Sequence, residues 1–227
     1  MSKISIIIPT INEANNLPLL LSDLLTTYKE GEIIIVDCGS EDKTIDVANI
    51  YGAKVYKSKE KNRGLQLNMG AKNSREDWLI FLHADTRLTH DWFRKINSVL
   101  KGDKNYIYYF KFKINHKKMI FRVLEILVNF RSKYFKKPYG DQGLIIHRTT
   151  YFKNNGFRKI PLMEDVDFLR RLNKKKDLKQ LNLPIFISSR KWERTNIFLQ
   201  ALKNWKFRRR WLKGESTKSI YSEYYKN

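Results

Sequence analysis

A chain of 227 residues that is 42% hydrophobic and 13% aromatic has the apolar material for one sizeable core, which excludes an intrinsically disordered chain. The single cysteine, Cys38, excludes an intrachain disulfide and fits a reducing compartment, so a cytoplasmic protein is expected. Lys and Arg number 45 against 23 Asp and Glu, and the formal net charge of +22 favours anionic partners: nucleic acid, anionic headgroups or phosphorylated substrates.

Residues 4–8 form a continuous β-branched run stopped by Pro9, the pattern of a buried strand. Thr10 and Glu13 then have capping-box spacing, and Leu17, Leu20, Leu21, Leu24 and Leu25 follow a helical period. Residues 33–36 read as a second strand, 40–51 as a helix ended by Gly52, and 55–56 as a short third strand. A helix over 64–73 and a strand over 78–82, ending at His83-Ala84-Asp85, complete the rhythm. Strand and helix in this alternation predict parallel β-α-β units and an open, doubly wound α/β sheet.

After Leu100 the rhythm changes. Residues 106–112 predict a strand, 119–134 an amphipathic helix, and 144–147 another strand, with helices near 149–154 and 165–174. Residues 119–130 are the most apolar stretch, but Arg122 and Glu125 interrupt it and it is too short to span a bilayer. No N-terminal signal peptide is evident. Residues 197–225 predict a strongly basic helical end. The expected organisation is one domain over 1–190, with 191–227 as its helical C-terminal extension. Basic residues are spread over 111–118, 131–137, 170–179 and 203–213. The last two clusters, expected in aromatic-rich helices, would suit an anionic membrane surface, with the protein peripheral on its inner face.

In open α/β sheets ligands bind at the carboxyl ends of the strands. The first strand delivers Pro9, Thr10, Asn12 and Glu13 there; the second delivers Asp37, Ser40 and Asp42; the fourth delivers His83 and Asp85. Taken singly, Asp37 or Asp42 could cap a helix and Glu13 could complete a capping box. Taken jointly, they converge on one edge.

These residues resemble the opening of the family 2 glycosyltransferases of the GT-A fold. Asn62-Arg63-Gly64 with Gln66, Phe81 to Thr86, Pro138 to Gly143, Met163 to Asp167 and Arg190 to Arg194 are similar to a small bacterial subfamily associated with radical-SAM, arsenosugar and selenium-related genes. The resemblance implies a GT-A fold and an inverting, metal-dependent hexosyl transfer from a nucleotide-diphosphate sugar to a hydroxyl acceptor. A UDP-sugar is favoured as donor, with a GDP-sugar as the alternative. For the acceptor, a small metabolite is what the resemblance implies, whereas a lipid would fit the basic aromatic C-terminus. By resemblance, Pro9, Thr10 and Glu13 line the nucleoside, and Asp37 accepts a hydrogen bond from the base. Cys38 stands where relatives often carry a second acid. Arg63, at a helix start, favours phosphate. Asp85 is the implied ligand of Mg²⁺ or Mn²⁺, since His83 replaces the first acid of the Asp-x-Asp motif; His83 is a second candidate. Asp165 is the implied base with Glu164 in support. The resemblance also implies that Asp141 and Gln142 border the acceptor side, and it makes Arg190 and Trp192 candidates for contact with the diphosphate.

The rival class is a basic nucleic-acid- or membrane-binding protein on a degenerate nucleotide-binding fold. No zinc-finger, RNP-type or helix-turn-helix signature supports nucleic acid as a partner. A nucleotidyltransferase would carry a Gly-rich basic signature where this chain has Asn12 to Asn15, and a two-carboxylate hydrolase has no special support.

Overall fold

The computed structural model of the protein describes residues 3–29, 31–172, 178–189 and 197–225. Its first half is built as the alternation of patterns predicts. Strands β1 (Ile4–Thr10), β2 (Glu32–Asp37), β3 (Lys54–Lys57) and β4 (Trp78–Phe81) alternate with helices α1 (Leu17–Leu25), α2 (Thr44–Ile50) and α3 (Arg63–Asn73). All pairings among these four strands are parallel. The apolar run of β1 is unbroken because both faces of the sheet are covered. Ile4, Ile6 and Ile8 pack in one cluster with Leu17, Leu20, Leu21 and Leu24 of α1, whereas Ile7 packs in a second with Leu67 and Ala71 of α3. Each such buried side chain contributes about 1.5–3 kcal/mol through the apolar area removed from water. Gly70 lets α3 lie close on the strand, since a Cβ there would come 2.4 Å from Ile7 Cγ2.

The second half adds β5 (Thr86–Leu88), α4 (Trp92–Leu100), β6 (Ile107–Ile114), α5 (Met119–Tyr134), β7 (Leu144–His147), α6 (Arg148–Lys153), α7 (Glu164–Arg171) and β8 (Leu178–Ile187). Two C-terminal helices follow, α8 (Ile197–Leu212) and α9 (Thr217–Tyr225). The sheet order is β3-β2-β1-β4-β7-β6-β8-β5. β6 and β8 pair in parallel, while β4/β7, β7/β6 and β5/β8 are antiparallel. The α/β class holds, and among the described residues four of the seven strand pairings are parallel; each antiparallel one involves at least one strand of the second half.

Several local expectations are corrected. Thr10 and Glu13 form no capping box: Thr10 is the last residue of β1, α1 starts at Leu17, and the Thr10 hydroxyl donates to Asp37 Oδ2 at 2.9 Å. The second helix begins at Thr44 rather than residue 40, because the preceding loop is committed to other hydrogen bonds. The basic cluster over 170–179 is not one helix. α7 ends at Arg171 and Lys179 lies in β8, whose inward residues Leu178, Leu181, Leu183, Ile185 and Ile187 are buried. The basic end is two helices, separated at Gly214, whose φ of +99° suits only glycine. Phe207 of α8 and Ile220 of α9 bury against Met163, immediately before α7.

Candidate functional site

A cavity of about 660 Å³ opens at the carboxyl ends of β1 and β4, within the size range of small-molecule sites. Pro9, Thr10, Ile11 and Glu13 line it from β1, and Lys61, Arg63 and Gln66 from the start of α3. His83, Ala84 and Asp85 enter from the segment joining β4 to β5, and Glu164 and Asp165 from the N-terminus of α7. Arg131 of α5, Tyr139, Asp141 and Arg208 of α8 close the far side.

The β1 and β2 loops are laced together. Asn12, held at φ +54°, donates its backbone N–H to Ser40 Oγ (2.9 Å) and accepts from the Glu41 N–H (2.8 Å). The Glu13 N–H donates to Thr44 Oγ1 at 2.8 Å and the Ala14 N–H to Asp42 Oδ2 at 3.0 Å. Gln66 is buried and donates to both the Thr10 and Val36 carbonyls, at 3.1 and 2.7 Å, fixing the two strand ends relative to each other.

Asp37 is 1% exposed and outside the cavity lining. Its carboxylate accepts from the Thr10 hydroxyl and from the Ser40 N–H, each at 2.9 Å, and from the Ser40 hydroxyl. With three of about four acceptor positions taken, it is first of all the knot that shapes the loop. Burial pushes the neighbouring Cys38 thiol up, so it stays protonated and supplies no second negative charge.

A polar chain joins the α3 and α7 sides. Asn62 caps α3 by accepting from the Leu65 N–H at 2.9 Å, which sets Arg63 at the helix start. Arg63 is ion-paired through Nε to Glu164, and its Nη1 lies 3.4 Å from His83 Nε2. A guanidinium only donates, so a hydrogen bond here requires a tautomer with Nε2 as the acceptor. Glu164 is 2% exposed. Burial pushes its carboxyl up and Asp165 pushes the same way; Arg63 opposes both without reversing the shift. Asp165 accepts from the Gly140 N–H and the Val166 N–H, both at 2.7 Å. Met163, at φ +66°, turns the chain into α7 through a conformation strained for a residue with a Cβ.

Tyr139 carries two guanidinium groups over its ring, Arg131 at 3.9 Å and Arg208 at 4.4 Å. Burial pushes Arg131 down from its ordinary value, against the pull of Asp141. Gln142 corrects an expectation. It is fully buried and absent from the cavity wall, with Oε1 accepting from the Ser132 hydroxyl at 2.5 Å and Nε2 donating to the Phe110 carbonyl at 3.3 Å. Its amide pins the turn to α5 and β6, and only Asp141 of that pair faces the cavity. Arg190 and Trp192 lie outside the described residues.

Sequence reasoning missed Arg131, Tyr139, Arg208, Tyr221 and Tyr224 as cavity-wall residues. Tyr139 sat inside a motif already singled out; the others come from helices whose inward faces only the packing defines.

Among the described residues no three His, Cys, Asp or Glu side chains gather into a metal cage. The half-buried Asp85 carboxylate on the cavity wall still fits a hard cation whose remaining ligands are phosphate oxygens and water.

The chain belongs to glycosyl transferase family 2, whose model matches residues 5–166. It is 37% identical over 91 residues to the PGL/p-HBAD biosynthesis glycosyltransferase of Mycobacterium bovis, a match covering 37% of this chain and 36% of that relative. The chain thus spans about a third of the length of the curated relatives it first matches. S. aureus TarS in complex with UDP-GlcNAc has a similar fold, with a TM-score of 0.64 and 17% identity over 82% of this chain and 58% of that one. So does the mannosyltransferase PcManGT from Pyrobaculum calidifontis in complex with GDP-Man and Mn²⁺, at TM-score 0.65 and 13% identity over 91% and 60%.

Proposed function

We propose that this chain transfers a sugar from a nucleotide-diphosphate sugar to a hydroxyl acceptor, a small metabolite or a lipid, with inversion at the anomeric carbon. The observation that carries this is the meeting, in one cavity, of the β1 end, Arg63, Asp85 and the Glu164-Asp165 pair. Pro9, Thr10 and Glu13, which line the cavity, would line the nucleoside. An Asp37 contact to the base would use its remaining lone pair or require Ser40 to turn away. A UDP-sugar is favoured; the similar folds that hold UDP-GlcNAc and GDP-Man keep both bases as donor candidates.

Asp165 is the proposed base. Its two oxygens are oriented by backbone N–H groups, and each retains a lone pair for an acceptor hydroxyl. As the acceptor oxygen bonds to the anomeric carbon, its proton passes to Asp165 and the bond to the diphosphate oxygen breaks. Glu164 supports this by holding Arg63 at the cavity wall. Asp85, with His83 as second candidate, would hold Mg²⁺ or Mn²⁺, which when bound neutralises the charge growing on the departing diphosphate. Asp141 and the Tyr139 ring would face the acceptor.

The test is calorimetric binding of UDP- and GDP-sugars, with and without Mn²⁺, to wild type and Asp85→Asn. Metal-dependent binding of one donor, weakened about a hundredfold or more in the variant, is expected. A folded wild type that binds no donor would refute the proposal.

A further inference from the structure

The outward face of α5 is unlike the surface of a helix meant for water. Met119, Val123, Ile126, Leu127, Phe130 and Tyr134 recur at helical spacing and are between 48% and 77% exposed. Phe135, the next residue, is 60% exposed. The opposite face buries Phe121, Leu124 and Val128 in the core, so α5 carries apolar residues on both sides and, among the described residues, only one side is covered. An uncovered apolar stripe of this extent marks an interaction surface.

Charge selects the partner. Residues 111–137 hold nine Lys and Arg and one acid, Glu125, which is buried and paired to Arg122. Lys117 and Lys118 are exposed just before the stripe begins; Lys133 and Lys137 are exposed where it ends. A second copy of the chain would bring the same cations against them, on a body already at +22. An apolar stripe with cations at both ends matches an anionic bilayer surface, where alkyl and aromatic groups enter the acyl boundary and ammonium groups meet headgroup phosphates. At 16 residues α5 is about 24 Å long, and no helix among the described residues is long and apolar enough to cross a membrane.

We infer that α5 is a membrane-docking helix that lies in the plane of an anionic lipid surface with its Met119-to-Tyr134 stripe embedded. The surface is distinct from the C-terminal helices to which composition pointed. Leu199, Leu202, Trp205 and Leu212 of α8 are also exposed, but Lys206, Arg209 and Lys213 interrupt them. The inference does not depend on the transferase reading, although Leu124, Val128 and Arg131 of the same helix wall the cavity. Docking would hold that wall next to the lipid.

The test is flotation of the full chain with phosphatidylglycerol vesicles and with phosphatidylcholine vesicles. Wild type is expected to float with the former and far less with the latter. Ile126→Ser/Phe130→Ser, which keeps every cation, is expected to lose about tenfold or more of that binding, with its thermal unfolding unchanged. Equal flotation of wild type and this variant would mean that charge or another face does the work, and would overturn the inference. So would a wild type that ignores the vesicles, or a dimer that the variant dissolves without any vesicle binding. If the double variant misfolds, an environment-sensitive fluorophore on Ile126→Cys decides, with labelled wild type as the blank because Cys38 is buried. A blue shift on adding phosphatidylglycerol vesicles is expected; an unchanged spectrum overturns the assignment.

Discussion

The half formed by β1 to β4 with α1 to α3 and the half formed by β6 to β8 with α5 and α7 secure their functional residues by different means. In the first, short loops at parallel strand ends are laced by Asp37, Ser40, Asp42 and Thr44, so the loops hold one another. In the second, buried polar side chains fasten a helix to a strand. Glu125 accepts from the Ile114 N–H at 2.7 Å, and Asn129 pairs with both the N–H and the carbonyl of Phe112 at 2.9 Å. Gln142 adds Ser132 and Phe110. The first arrangement makes a rigid rim with little freedom in shape. The second leaves the outer face of its helix free for other use, and α5 spends it on apolar residues.

Breaking the join between the halves should cost most. Arg63→Met leaves Glu164 buried without its cation and should destabilise the fold by about 3 kcal/mol, the low end for a broken buried pair because Arg63 is 37% exposed. Denaturant unfolding would measure it, and a loss below about 1 kcal/mol would show that the pair is not what couples the halves. Next, Asp165→Asn should lower kcat by about 10²–10³-fold while donor affinity stays within about threefold, because the amide cannot take a proton and its single oxygen can accept from only one of the Gly140 and Val166 N–H groups. A parallel loss of donor affinity would erase the functional division between the halves.

Gln142→Leu should cost about 1–3 kcal/mol in thermal unfolding by removing the amide donor from the buried Phe110 carbonyl, while the Ser132 hydroxyl keeps the Val128 carbonyl as its acceptor; donor binding should stay intact. The subtlest effect is on pH. Because the folded-state pKa of Glu164 is raised, the fold holds its proton more tightly than the unfolded chain does. Wild-type stability relative to Glu164→Gln should therefore fall as pH rises from about 4.5 through the folded pKa, read from melting temperatures of both proteins across that range.

The first half was legible because its information is local. β-branched runs and leucine periods sit next to the polar residues they deliver, and topology then brings Thr10, Glu13, Arg63 and Asp85 to one edge. β5, with three residues, is too short to leave a pattern, and β8 follows a lysine-rich stretch that drew residues 170–179 toward a single helix. The roles of Asp37 and Gln142 toward ligands rest on family resemblance alone. Which partner a buried polar group satisfies depends on neighbours such as Thr10, 27 residues away, and Ser132, 10 residues away, and spacing does not announce these. The apolar character of α5 was visible in the sequence. That half of it stays uncovered was not, since a core-facing and a partner-facing stripe look alike until the fold shows what lies against each.

The Arg63 to Glu164 pair also bears on how such chains can diversify. The two residues stand 101 positions apart, one at the head of α3 and the other at the head of α7. A recombination event that imports a new α7 segment brings its own buried acid, or lacks one, without altering residue 63. Mismatched chimeras would carry a stranded charge and be selected against. The two segments should therefore be inherited together, and a designer exchanging one must exchange the other.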